Sequence, residues 1–363
     1  MRKKNVVVVA MSGGVDSSVT AALLLERGYE VIGMTMQICP PGEGPVPDGG
    51  SRIGCSSSAV DDARRVADKL GISHYVTNLE AAFQEKVIDY FTAEYAQGRT
   101  PNPCIACNRY IKFAALLDRA LALGGHYLAT GHYARVMYSA SRGRYLVHKG
   151  VDPRKDQSYA LYVLSQEQLS HSLFPLGELT KDGTRALAAK WGLEVAGKPD
   201  SQEICFIPDN DYRGFLLREI PAKIKPGPLL DLKGNVLGTH RGLPYYTIGQ
   251  RRGLGLAAPE PLYVVDIDVG RNAIIVGSTE ELWRRELVAE ELNFIAIPSL
   301  LESMEVTAMI RYNSPEVRAR VRPLPQGRAL VSFVEPVRAP TPGQSVVFYQ
   351  GDLLIGGGII KKT

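Results

Sequence analysis

The 363-residue sequence has little cysteine, little tryptophan and no long apolar run. Its five cysteines (Cys39, Cys55, Cys104, Cys107 and Cys205) are an odd number spread over a long chain, which argues against a disulfide-built scaffold. Cysteines in a reducing compartment more often bind metal, react or stay inert than crosslink. No apolar run approaches the length of a bilayer span, so no membrane partner is expected. Met1-Arg2-Lys3-Lys4-Asn5 leads only into the short run Val6–Ala10, whereas a signal peptide needs a longer apolar region and a small-residue cleavage site. The expected location is cytoplasmic. Neither sign of charge dominates, since 42 Lys and Arg face 38 Asp and Glu for a net +4. That balance excludes a histone-like polycation and allows a local basic patch for nucleic acid or phosphate. DNA is not among the expected partners. With 45% hydrophobic and 22% charged residues, disorder is excluded and two or three domains are expected.

The first half alternates short strands with amphipathic helices. Val6–Ala10 is β-branched and continuous, as in a strand buried on both faces. A helix from Asp16 to Arg27 stops at Gly28, a strand runs from Glu30 to Met36, and residues 38–57 form a Gly-, Pro- and Ser-rich loop. Helices over 58–70, 80–95 and 110–123 and strands over 74–77 and 127–130 complete an α/β unit with a parallel sheet. After Cys205 the pattern changes to short β-rich segments, from Leu229 to Tyr349, punctuated by Gly and Pro. The expected fold is a parallel-sheet domain over residues 1–220, a small β-rich domain over 221–290 and a β-barrel over 291–363.

Ser12-Gly13-Gly14-Val15-Asp16-Ser17-Ser18 follows the first strand and opens a helix. Two glycines let the backbone approach an anion, and free N–H groups with the helix dipole favour phosphate there. A plain Gly-Gly turn capped by Asp16 or Ser17 is the bland alternative, but the whole string in strand–loop–helix context outweighs it. The string lacks the GK[ST] ending of a Walker loop. It resembles the pyrophosphate (PP) loop of ATP pyrophosphatases, which split ATP between the α- and β-phosphates.

Cys104 and Cys107 form one CxxC in Thr100-Pro101-Asn102-Pro103-Cys104-Ile105-Ala106-Cys107-Asn108, ahead of a helix carrying Lys112. A helix N-terminus favours thiolate, the reactive and metal-binding form. Half a zinc site, a redox pair and a cluster site are all open readings, although no second CxxC completes a zinc ribbon. Cys205, alone, reads as a small buried hydrophobe between Ile204 and Phe206.

SGGVDSS, GRTPNPCIACNRYIKF, ATGHYAR, KDQSYALY, DSQEICF, IGQRRGLG and TPGQSVVFY occur in this order from Ser12 to Tyr349. Together they resemble the bacterial tRNA-specific 2-thiouridylases over the whole chain. The resemblance implies adenylation of the C2 oxygen of the wobble uridine, then replacement of oxygen by sulfur, with ATP and Mg²⁺ as cofactors. Its partners would be tRNA and a sulfur donor or relay protein. It implies ATP contacts at Ala10, Met11, Ser12, Gly13, Gly14, Val15, Asp16, Ser17, Met36 and Gly131. The target base would meet Asn102, Pro103 and Cys104. The tRNA would meet His132, Lys155, Asp156, Gln157, Arg311, Tyr312 and Gln344. Cys107 maps to the nucleophile and Cys205 to the persulfide carrier. Cys104 stands where that family more familiarly has Asp. Three thiolates suit a [4Fe–4S] cluster with one open iron on Cys104, Cys107 and Cys205, the expected route ahead of a cluster-free persulfide relay.

Overall fold

The structure, a computed structural model, describes residues 5–39, 57–199, 204–207 and 210–362. Residues 40–56 of the expected loop, Cys55 among them, and Asp200 to Glu203 of the DSQEICF string lie outside the described residues. The chain forms two compact units. The first contains Met1–Val87, Pro103–Asn210 and Asp352–Leu354, and the second contains Ile88–Asn102, Asp211–Gly351 and Ile355–Thr363.

The first unit is built on a five-stranded parallel sheet. Its strands are β1 (Val6–Ala10), β2 (Glu30–Gln37), β3 (Ser73–Asn78), β4 (Tyr127–Ala129) and, after the hairpin β5 (Ala134–Ser139) and β6 (Arg144–Lys149), β7 (Ser172–Leu173). The spatial order is β3-β2-β1-β4-β7. β1 is central, with Val7 beside Val31 on β2 and Tyr127 on β4. Val7, Val8 and Val9 are wholly buried, at about 1.5–3 kcal/mol each if fully transferred from water. Helices α1 (Val15–Glu26) and α2 (Ser57–Leu70) return the chain between the first three strands. Helix α1 packs Val15, Val19 and Leu23 into the same core as Val7, Val9 and Ala63.

The helical run over 103–122 begins at Pro103, earlier than the expected 110. Proline is suited to the first helical position, where its missing N–H costs nothing. The CxxC therefore lies within the first turns rather than ahead of the helix. From Cys107 to Leu116 the run is π-helical, a rare form that recurs at functional sites.

The second unit holds a mixed four-stranded sheet and a barrel. The sheet contains β8 (Gly227–Leu230), β9 (Val236–His240), β10 (Tyr263–Asp268) and β11 (Ala273–Gly277) in the order β10-β11-β8-β9. The barrel contains β12 (Trp283–Phe294), β13 (Met304–Met309), β14 (Val317–Leu324), β15 (Arg328–Arg338), β16 (Ser345–Gln350) and β17 (Leu353–Ile360). The order β12-β15-β14-β13-β16-β17 closes through pairing of β12 with β17. Closure explains the glycines of β17. A Cβ on Gly356 would stand 2.3 Å from the Asn293 carbonyl oxygen, and one on Gly358 would stand 2.8 Å from that of Glu290. On β14, Ala319 and Val321 point inward while Arg318, Arg320 and Arg322 are exposed, as the alternation predicts.

Candidate active site

The phosphate loop joins the carboxyl end of β1 to α1, the edge where open α/β sheets bind ligands. Gly13 has φ +69°, and a Cβ there would stand 2.4 Å from the Ala59 carbonyl oxygen, so only glycine fits. Gly14 is the N-cap of α1, which has no side-chain cap. The first-turn N–H groups thus keep the orphan character that favours an anion.

Two hydroxyls brace the turn. The Ser12 N–H donates to Ser17 Oγ at 3.1 Å, Ser17 Oγ donates to the Gly14 carbonyl at 3.2 Å, and Ser18 Oγ donates to it at 2.9 Å. Ser17 and Ser18 are buried. They are therefore spent on loop shape as the structure stands. Met11 is buried behind the loop and its N–H donates to the Met34 carbonyl at 2.8 Å. Met36 is half-buried two residues farther along β2. Gly131 packs against the start of α1, where a Cβ would stand 2.9 Å from Asp16 Cβ and 3.1 Å from the Ser17 nitrogen.

The Asp16 carboxylate is engaged. Lys181 Nζ lies 2.8 and 2.9 Å from its two oxygens, and the Tyr133 hydroxyl donates to Oδ1 at 2.8 Å. As placed, Asp16 does not cap α1, and its side chain is 33% exposed. Lys198 is a residue the sequence reading did not single out. Its Nζ donates to the Gly13 carbonyl at 3.2 Å and pairs with Asp62. A lysine after a glycine and before a proline carries no local signal of such a reach.

Cys104, Cys107 and Cys205 are outside any disulfide, whereas Cys39 is disulfide-bonded. Cys107 is buried, and burial pushes its thiol pKa up; Lys112 opposes this and the neighbouring Cys104 adds to it. Desolvation thus works against the thiolate expected at Cys107, and Lys112 works for it. Part of the Cys205 surface is open, yet protein atoms crowd its thiol. Burial, with Cys107 and then Cys104 adding and Lys112 opposing, pushes it up to about 12. The CxxC thiols of Cys104 and Cys107, the sequence-distant Cys205 and the Lys112 ammonium therefore share one electrostatic neighbourhood. Among the described residues, no group of three His, Cys, Asp or Glu side chains is placed to hold a metal ion.

His132 is buried, with Nδ1 2.7 Å from Thr130 Oγ1 and its ring against Phe113 and Phe174. Burial, helped by Lys112, holds its pKa well below the ordinary value, so the imidazole is neutral. Asp156 accepts from the Gly150 and Ser158 N–H groups at 2.9 and 3.2 Å and from Ser158 Oγ at 2.8 Å. Gln157 Oε1 accepts from the Tyr133 N–H at 3.1 Å. Lys155 is half-buried in the same turn. In the second unit, Arg311 and Tyr312 are exposed before β14, and Gln344 Nε2 donates to the Thr100 carbonyl at 2.8 Å. Asn102 is half-buried two residues beyond Thr100, followed by buried Pro103 and exposed Cys104.

Comparison with known proteins agrees with this layout. Three family models match in succession: a "tRNA methyl transferase HUP domain" at residues 5–209, its "PRC-barrel domain" at 213–278 and an "Aminomethyltransferase beta-barrel domain" at 284–360. The chain is 61% identical to the tRNA-specific 2-thiouridylase MnmA of Pelotomaculum thermopropionicum, covering 99% of this chain and 98% of that one. It is 55% identical to tRNA-specific 2-thiouridylase MnmA 1 of Caldanaerobacter subterraneus, covering 100% and 99%. It is 57% identical to the MnmA of Desulforamulus reducens, covering 98% and 97%. The chain belongs to the tRNA-specific 2-thiouridylase family.

Proposed function

We propose that the protein uses ATP to convert the C2 oxygen of a tRNA wobble uridine to sulfur. The observation that supports the reading is an uncapped glycine phosphate loop in the same unit as Cys104, Cys107 and Cys205, whose thiols act on one another electrostatically. The uridine C2 oxygen attacks the α-phosphorus of ATP, the α–β bridge breaks and pyrophosphate leaves. Mg²⁺ would accompany the phosphates, which the uncapped start of α1 is suited to receive.

Sulfur transfer then needs a nucleophile at C2 and loss of AMP. A [4Fe–4S] cluster with one open iron, the expected route, would be held by Cys104, Cys107 and Cys205 and would supply sulfide to the activated C2. The cluster-free relay runs through this chain's own thiols. A persulfide on Cys205 attacks C2 with its outer sulfur and AMP departs. Cys107 thiolate then attacks Cys205 Sγ, releasing 2-thiouridine and leaving a Cys107–Cys205 disulfide. An external thiol reduces that disulfide, and a sulfur donor restores the persulfide. Lys112, which favours the thiolate form of both cysteines, supports this assignment.

Arg311, Tyr312 and the arginine face of β14 fit an RNA surface, offering charge and a stacking ring. Asn102, Pro103 and Cys104 are read as the wall that receives the extruded base. The test is AMP and pyrophosphate release from ATP. Release stimulated by tRNA supports the reading, and release stimulated only by a small acid contradicts it.

A further inference from the structure

Two residues outside the sequence motifs' assigned roles grip both the phosphate loop and the 152–157 turn. Tyr133 holds Asp16 with its hydroxyl, at 2.8 Å. With its main chain it holds Gln157 twice: its N–H donates to Gln157 Oε1 at 3.1 Å, and its carbonyl accepts from the Gln157 N–H at 2.9 Å. Lys181 repeats the arrangement. Its ammonium holds both Asp16 oxygens, and its backbone N–H donates to Asp152 Oδ2 at 3.0 Å. Asp152 is buried and in turn accepts from the Arg154 N–H at 3.0 Å.

The placement of Lys181 is costly by itself. Its side chain is 6% exposed, and it opens the helix Lys181–Lys190, the end where the dipole disfavours a cation. The Asp16 carboxylate offsets that cost. Asp16 is the second residue of α1, so whatever fixes it fixes the first turn and the loop before it. The turn at 152–157 carries the Lys155-Asp156-Gln157 string read above as an RNA contact.

We propose that Tyr133 and Lys181 are positioning residues that lock the phosphate loop to the 152–157 turn, so that RNA seated on the turn sets the alignment of the nucleotide for adenylation. The proposal rests on the thiolation reading. An ångström-scale shift at a reacting centre costs about 100-fold in rate, so a link of a few hydrogen bonds can carry the position of the turn to the nucleotide. Thr184 Oγ1, 3.0 Å from the Tyr133 hydroxyl, completes the packing around the lock.

Tyr133→Phe removes the hydroxyl and keeps the ring and both main-chain bonds to Gln157. The measurement is AMP release with and without saturating tRNA, with KM for tRNA and a thermal melt on each variant. Tyr133→Phe is expected to lower the stimulation by tRNA about tenfold, equivalent to about 1.4 kcal/mol, while KM for tRNA stays within about twofold. Lys181→Arg, which keeps the charge, is expected to retain more stimulation than Lys181→Met. A folded Tyr133→Phe with undiminished stimulation overturns the proposal. So does a loss that scales release with and without tRNA alike, since that is the mark of a merely structural role. Wild-type protein whose AMP release ignores tRNA overturns the thiolation reading itself.

Discussion

Gln344 Nε2 donates to the Thr100 carbonyl at 2.8 Å, and the Thr100 N–H donates to the Pro342 carbonyl at the same distance. The Thr341-Pro342-Gly343-Gln344 turn therefore clips the strand of chain that enters Pro101-Asn102-Pro103. Gly343 has φ +89°, and a Cβ there would stand 3.0 Å from the Thr100 nitrogen. Gly343→Ala is expected to destabilise the fold by about 1–2 kcal/mol, read as a lower urea midpoint. Gln344→Ala, which breaks one contact without strain, is expected to cost about 1 kcal/mol or less. If it lowers thiolation by more than that stability loss explains, Gln344 is also at work on the base-recognition segment.

The crowded thiols predict a pH dependence. With its pKa pushed up to about 12, Cys205 is protonated at neutral pH. Its alkylation by iodoacetamide, followed by peptide mass mapping, is expected to accelerate about tenfold per pH unit through the alkaline range. Lys112→Met removes the cation that favours the thiolate and is expected to slow alkylation at any fixed pH in that range. Equal rates in wild type and Lys112→Met would contradict the shared neighbourhood.

His132 predicts a separate, acid-side effect. Its folded pKa lies well below the ordinary value of 6.5, so the unfolded chain takes up a proton that the folded chain refuses. The stability tied to neutral His132 is present above 6.5 and is lost as pH falls from there towards the folded value. His132→Gln is expected to flatten the fall in urea midpoint between about pH 7 and about pH 5. His74 and His240, also lowered by burial, leave part of the slope in place.

Cys104→Ser separates the two sulfur routes. The thiol relay uses Cys107 and Cys205, so Cys104→Ser is expected to retain most of the activity while Cys107→Ser and Cys205→Ser abolish it. Loss of activity in Cys104→Ser, together with cluster absorbance in anaerobically reconstituted wild type, would replace the relay with the cluster.

Much of the fold was readable because local chemistry and tertiary context agree. Val6–Ala10 reads as a doubly buried strand and is one, and SGGVDSS reads as a strand-to-helix phosphate loop and forms one. The strands β12 and β17 were not readable. Trp283–Phe294 carries clustered bases and acids that mimic a solvated helix, and Leu353–Ile360 contains a run of glycines, of which Gly356 and Gly358 allow the close pairing that closes the barrel. The convergence of Cys107 and Cys205 came from resemblance to a family, since their separation along the chain says nothing of distance. Lys181 and Lys198 escaped altogether, because a lysine's partner 100 or more residues away leaves no mark in its own segment.

The most direct test is mass spectrometry of nucleosides from unmodified tRNA incubated with the purified protein, ATP, Mg²⁺, a reductant and a persulfide donor. The account predicts 2-thiouridine at the wobble position, dependent on ATP and absent with Cys107→Ser or Cys205→Ser. A methylated uridine, or 2-thiouridine formed without ATP, would contradict it.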